Sequence, residues 1–435
     1  MMIRLAVLLL ALAAPVRAEI AIQTVTSPGG ITAWLVESHD IPFTALEIRF
    51  RGGTSLDAPG KRGAVNLMTA LIEEGAGDLD AQGFAAARDS LAADFSFSAD
   101  RDGVGVASRF LTENRAEALA LLRLALVSPR FDPDAVERVR GQVLTGLRAD
   151  EKDGEAIAAR LMAARSFGDH PYGSSGDGTI ASVTALTRDD IVAAYRGALA
   201  RDRVYVAAAG DITAAELGVL LDDLLGGLPQ VGSPMPDRAV REDRGGLVVA
   251  DLPGPQSVVQ FSQQGLDFAD PDYFAAMILN DILGGGRFGA RLMTEVREKR
   301  GLTYGIGTGL ASLDHAAWLT GQFESANEKV AEAIAVVRAE WEKIATQGVT
   351  AEELDKAKTF LTGSYPLRFD GNAQIASILV GMQTIGLPPE YPATRNDRVE
   401  AVTLADVQRV AASLFTPDRL FFVVVGQPEG VVGTE

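Results

Sequence analysis

The sequence predicts an α+β protein made of two homologous domains, each a mixed β-sheet covered by helices. Three observations predict it. A helix–strand–glycine pattern recurs at long range, each half opens with strand-like runs followed by amphipathic helices, and a stretch rich in Pro, Gly and charge separates the halves.

The recurrence is the strongest of these. Leu186-Thr187-Arg188-Asp189-Asp190-Ile191 begins a helical pattern that ends near Arg203, followed by a strand from Val204 to Ala209 closed by Gly210. The C-terminus repeats this as Val402-Thr403-Leu404-Ala405-Asp406-Val407, Arg419, the run Leu420 to Val425, and Gly426. Thr187 and Thr403, Asp190 and Asp406, Arg203 and Arg419, and Gly210 and Gly426 each lie 216 positions apart. Thr with Asp three residues later is general helix-start grammar. A strand ending on Gly at the same offset is not. Upstream, Phe131 to Val136 and Val349 to Leu354 correspond at an offset of 218. Duplication of a unit about half the chain long accounts for all of it.

Strand-like runs such as Thr44–Phe50 and Ser257–Phe261 open the halves, and helices such as Ala116–Val127 and Glu328–Ala345 follow. The segment Pro229 to Gly246 has no apolar periodicity. The expected organisation is a signal peptide at 1–18, an N-terminal domain at 19–229, a linker at 230–246 and a C-terminal domain at 247–435.

The first residues have the three parts of a secretory signal: Arg4, the apolar run Leu5 to Ala14, and Val16-Arg17-Ala18 as the cleavage pattern. That run is too short to span a membrane. Export to the periplasm with cleavage after Ala18 is the expectation. The chain has no cysteine, which removes disulfides, thiolate metal sites and cysteine nucleophiles. A net charge of −18 argues against nucleic acid, which needs clustered Lys and Arg.

A Gly-led apolar helix runs from Gly63 through Ala64-Val65-Asn66-Leu67-Met68-Thr69-Ala70-Leu71-Ile72-Glu73-Glu74 to Gly75. It resembles the zinc helix of the pitrilysin and mitochondrial processing peptidase family, the insulinase-like zinc metallopeptidases, whose motif is H-x-x-E-H. In that motif two His at i and i+4 grip zinc while the Glu activates water. The resemblance places Asn66, Thr69 and Ala70 at the His, Glu and His positions. It places Thr145 and Gly146, on a helix over Glu137–Leu147, where the family's distal Glu ligand lies. None of these is a zinc donor, so no metal is expected in this chain. His39, His170 and His315 lack motif spacing, Asp169-His170-Pro171-Tyr172-Gly173 resembles a structural family loop, and Glu73 and Glu74 read as solvated.

The second half carries Leu283-Gly284-Gly285-Gly286-Arg287-Phe288-Gly289-Ala290-Arg291-Leu292, then Glu295-Val296-Arg297-Glu298-Lys299-Arg300-Gly301-Leu302-Thr303-Tyr304. This is similar to the family's "SRL…VREKRGLAY" stretch. The resemblance implies that Arg297 and Tyr304 reach into the peptide cleft, where guanidinium and phenol can hold a carbonyl or a developing oxyanion. Gly301 should end the helix and place Tyr304 on the following strand. The bland alternative makes Arg297 a partner of charges on a solvated helix. Gly284, Gly286 and Gly289 also satisfy G-x-G-x-x-G, but a helical pattern precedes them where a nucleotide site needs a strand. Gly284, Gly285 and Gly286 read as a substrate-facing loop or as a plain helix connection.

The resemblance runs from about Ile22 to Gln427. It implies a zinc-free subunit, not catalytic alone, that pairs with a zinc-bearing homologous subunit and contributes peptide contacts to the partner's metal centre. Two alternatives stand beside it: a structural or peptide-binding scaffold, as fold relatives are in respiratory complexes, and, ranked last, a self-sufficient metallopeptidase.

Overall fold

In a computed structural model the chain is described at residues 20–242 and 244–434, so the expected signal peptide lies outside the described residues. The strands, in chain order, are β1 Gln23–Thr26, β2 Thr32–Glu37, β3 Phe43–Arg51, β4 Gly75–Ala76, β5 Leu79–Asp80, β6 Asp94–Ala99, β7 Gly103–Leu111 and β8 Val204–Gly210. They continue as β9 Gly246–Ala250, β10 Gln256–Gln264, β11 Ile306–Ser312, β12 Ala317–Ala326 and β13 Phe421–Val425.

Two mixed sheets result, with the orders β1-β2-β8-β3-β7-β6 and β11-β12-β10-β13-β9. In each, the strand late in its half (β8 or β13) runs parallel to one neighbour and antiparallel to another. The α+β expectation holds. One face of the first sheet carries Leu46, Ile48, Phe50, Val104 and Val106, all essentially without solvent exposure, against the helices Ala64–Ala70 and Arg115–Val127. The second sheet packs Val259, Phe261, Phe422 and Val424 against Tyr273–Gly284 and Val330–Gln347 in the same way. Alternating burial along β3 and β7 is the period of two that a half-covered sheet requires.

The repeated segments take the same local form. Thr187 caps the helix Arg188–Ala198 by accepting from Asp190 N, while the Asp190 carboxylate returns to Thr187 N, and Thr403 and Asp406 repeat this for Leu404–Leu414. A short 3-10 turn, Arg201–Arg203 or Pro417–Arg419, leads each helix into its strand. Gly210 and Gly426 end those strands at φ 118 and 149, where a Cβ would meet Phe43 O at 2.3 Å and Ser257 Oγ at 2.2 Å. Only glycine fits either corner.

The halves exchange helices. Gly154–Phe167, from the first half, lies on β10 and β13, burying Ala158 and Met162 against Phe421, Val423 and Val425. Asn372–Thr384, from the second, lies on β3 and β8, with Ala376 against Ala45 and Ala209, and Leu379 and Met382 near Trp34 and Ala207. Full burial of a large apolar side chain stabilises by about 1.5–3 kcal/mol, so these helices hold the halves together firmly. Residues 230–245 form no helix or strand where described, yet they bond to both halves. Ser233 N reaches Gly197 O and Ala239 N reaches His315 O. Among the described residues no helix is long and apolar enough to cross a membrane.

Candidate functional site

The Gly-led helix of the first half is shorter than its sequence suggests. It spans Ala64–Ala70 and then tightens into a turn, with Leu71 N bonding Met68 O and Ile72 N bonding Thr69 O. Its start is held by Asp57, whose carboxylate accepts the N–H groups of Gly63 and Val65, each at 2.8 Å. The turn delivers Glu73 to Arg88 at 2.9 Å and Glu74 to Arg138, so these carboxylates are ion-paired and half-buried rather than solvated. This corrects the expectation drawn from their place at a helix end.

Asn66 lies half-buried and Ala70 exposed, one turn apart. Thr69 is buried and spends its hydroxyl on Val65 O at 2.8 Å, inside its own helix. The helix Pro133–Asp150 touches this one and presents Thr145 and Gly146 to solvent, with Thr145 Oγ1 bonded back to Gly141 O. An amide, a methyl group and hydroxyls tied to carbonyls cannot replace two imidazoles and a carboxylate. The donor set does not fit zinc, and no step passes through a metal here.

Elsewhere, His39 is exposed between Asp211 and Glu37, and the hydrogen bonds to both raise its pKa. His170 accepts from Tyr172 N through Nδ1 and faces Asp237 O through Nε2 at 3.0 Å, a turn-forming role. His315 is different. One of its ring nitrogens lies within 4.8 Å of carboxylate oxygens of Asp102 and Asp314, a juxtaposition that spacing along the chain could not reveal. Both carboxylates are already engaged by protein donors. Asp102 accepts from the Tyr172 hydroxyl and from Asp314 N at 2.9 Å, and Asp314 accepts from Arg51 at 2.5 Å. Burial lowers the His315 pKa, which keeps the imidazole neutral.

In the second half, a cavity of about 670 Å³ opens over the face of β11 and β12. Gly284, Gly285 and Gly286 form one wall, Tyr304 another, and Glu155 and Glu324 bring acidic charge. The preceding element is the helix Tyr273–Gly284, so a phosphate-binding strand-to-helix turn is absent at this loop. β11 is the edge of its sheet, and an edge strand beside a groove is where an extended peptide can pair with backbone groups.

Tyr304 is 89% exposed. It does not sit on the strand, as expected, but in a bend two residues before β11. The cause is Thr303, whose hydroxyl lies 2.6 Å from Glu324 O and 3.2 Å from Gly305 N, pinning the loop to the end of β12. Arg297 lies outside the cavity lining, on a π-helical turn Met293–Glu298 that Gly301 closes by bonding Arg297 O. Such turns insert one extra residue and rotate the side chains after it to a new direction. Lys299 and Arg300 both pair with Glu295, while Arg297 pairs with no carboxylate among the described residues and stacks over Phe288 at 5.0 Å.

Comparison with known proteins bears on this arrangement. The family model described as "Peptidase M16 inactive domain" matches residues 185–361. The structure is similar to a crystal structure titled as the peptidase M16 inactive domain from Pseudomonas fluorescens, with TM-score 0.88 and 28% identity over 95% of this chain and 99% of that one. The matched segment, residues 185–361, belongs to the peptidase M16 family. Among curated M16 relatives, the chain is 26% identical over 392 residues to the "Non-peptidase homolog YmxG" of Helicobacter pylori, covering 89% of this chain and 90% of that protein. It is 21% identical over 425 residues to a probable mitochondrial-processing peptidase subunit beta of Schizosaccharomyces pombe, covering 94% and 92%. These likenesses, to an inactive domain and to a non-peptidase homologue, agree with a non-catalytic subunit, and the helix Ala64–Ala70 carries no zinc donor at Asn66, Thr69 or Ala70.

Proposed function

We propose that the chain is the zinc-free subunit of a periplasmic heterodimeric zinc metallopeptidase, binding extended peptide and lending transition-state contacts to a zinc-bearing homologous partner. One observation carries the reading. The metal donors are replaced while the second half has an open groove with Tyr304 exposed beside it and a guanidinium, Arg297, that no carboxylate among the described residues pairs with. Its likeness to a processing-peptidase subunit supports pairing of homologous chains. The N-terminal signal pattern supports export.

In this reading the edge of β11 aligns the peptide backbone, Tyr304 donates to a carbonyl, and Arg297 offers N–H groups to the charge that grows on the scissile oxygen. The partner's zinc supplies the activated water. Adding the purified chain to a zinc-bearing M16 homologue from the same cells should create or greatly raise endopeptidase activity. Arg297→Ala should then lower kcat/KM by about 100- to 1,000-fold, the range for removal of one oxyanion donor. Activity indifferent to this chain overturns the proposal, and pairing without any activity change marks a scaffold.

A further inference from the structure

We infer that Phe288 is a positioning residue for Arg297: its ring holds the guanidinium by its face and leaves every N–H free for peptide or transition state. The inference rests on the proposed function and deepens it.

Two arginines of this region stack on phenylalanines, each at 5.0 Å from the ring centroid, Arg287 over Phe360 and Arg297 over Phe288. Their surroundings differ. Arg287 also reaches the carboxylate of Asp281 at 2.5 Å, a residue only 4% exposed. That ion pair anchors the middle of the glycine loop. The loop is tied further by Gly286 N bonding Gly284 O and Ala290 N bonding Arg287 O, with Ala290 fully buried. Phe288 therefore projects from a fixed base although it is itself 67% exposed.

Among the described residues Arg297 has no such carboxylate, and Glu295 is taken by Lys299 and Arg300. A carboxylate in place of Phe288 would orient Arg297 too, but it would neutralise the charge and occupy its hydrogen-bonding edge. A ring face does neither. A cation–π contact draws on the charge of the guanidinium and uses none of its N–H hydrogen bonds, so the donors remain for a peptide carbonyl or an oxyanion. The glycine loop thus serves two sites at once, lining the peptide cavity with its backbone and restraining Arg297 with its one aromatic side chain.

The test uses the full chain with its zinc-bearing partner and a quenched fluorescent peptide. Phe288→Ala should lower kcat/KM by about 2- to 5-fold, as expected from an exposed cation–π pair. Phe288→Tyr should restore it and Phe288→Leu should not. In the Arg297→Ala background, Phe288→Ala should have no further effect. Full activity of Phe288→Leu, or losses that multiply in the double variant, would overturn the inference. A second readout needs no partner: the relaxation order parameter of the Arg297 Nε–H bond in the isolated chain. It should fall in Phe288→Ala and Phe288→Leu and hold in Phe288→Tyr, and an unchanged value in all three also overturns the inference. If Arg297→Ala leaves activity intact while the order parameter responds as stated, the proposed function fails and the restraint stands.

Discussion

The Tyr172 phenol donates to the carboxylate of Asp102, and its oxygen in turn accepts the backbone N–H of His315 at 3.2 Å. Asp102 lies in the turn between β6 and β7, and His315 in the turn between β11 and β12. These are the edge hairpins of the two sheets, so the repeated halves meet tip to tip with Tyr172 between them. Burial and the bond to Asp102 push the phenol pKa far above its ordinary value, leaving it a permanent donor.

Tyr172→Phe should therefore destabilise the protein. Asp102 is 4% exposed and would lose a hydrogen-bond donor, a loss of about 1–3 kcal/mol. Denaturant unfolding of the two proteins at neutral pH measures it. A difference within error would mean that the Tyr172 hydroxyl adds nothing to the joint between the hairpin tips.

Glu47 gives a pH signature. It lies on the β3 face turned from the core, half-buried between Ala107 and Ala207, and burial raises its pKa to about 7. The folded state prefers it protonated, so stability is full below the unfolded value near 4.5 and is lost as pH rises through about 7. Glu47→Gln should stabilise the protein at pH 8.5 by roughly 1–2 kcal/mol, allowing for solvent screening, and give no gain at pH 4.5. Equal effects at both pH values would contradict this.

Glu353 shows the opposite sign. Burial pushes its pKa up, but the bonds from Arg291 and from the Thr350 N–H outweigh that and bring it to about 2. The stability it contributes is present above the unfolded value near 4.5 and lost as pH falls through about 2. Glu353→Gln should cost about 1–2 kcal/mol at pH 7, with the gap to wild type closing progressively between pH 4.5 and about 2. Calorimetry across that range tracks the loss.

The substituted helix makes a gain-of-function prediction. Asn66 and Ala70 are one turn apart and neither is fully buried. Asn66→His with Ala70→His should create a two-imidazole zinc site, and Gly146→Glu should tighten it, because a Cβ at Gly146 meets nothing within 4 Å. Zinc titration by calorimetry should show affinity rising at least about tenfold at each step. If the third substitution does nothing, Gly146 is not at the distal ligand position.

Local features proved readable because their causes are local. The capping boxes of Thr187 and Thr403, the strands ending at Gly210 and Gly426, and the absence of zinc donors at Asn66, Thr69 and Ala70 come from residue type and short spacing. Other features depend on where the chain returns. The ion pairs of Glu73 and Glu74 need Arg88 and Arg138 from elsewhere, and the bend at Tyr304 needs the Glu324 carbonyl at the end of β12.

The sequence alone determined that this is a duplicated α+β chain with no zinc donor at Asn66, Thr69 or Ala70, because apolar periodicity, capping and residue type are written residue by residue. Tertiary structure decided how the halves join. Gly154–Phe167 and Asn372–Thr384 cross to the opposite sheets, and Asp102, Tyr172 and His315 converge where the hairpin tips meet. These contacts span up to two hundred or more positions, and only packing of complete sheets brings such residues within hydrogen-bonding reach.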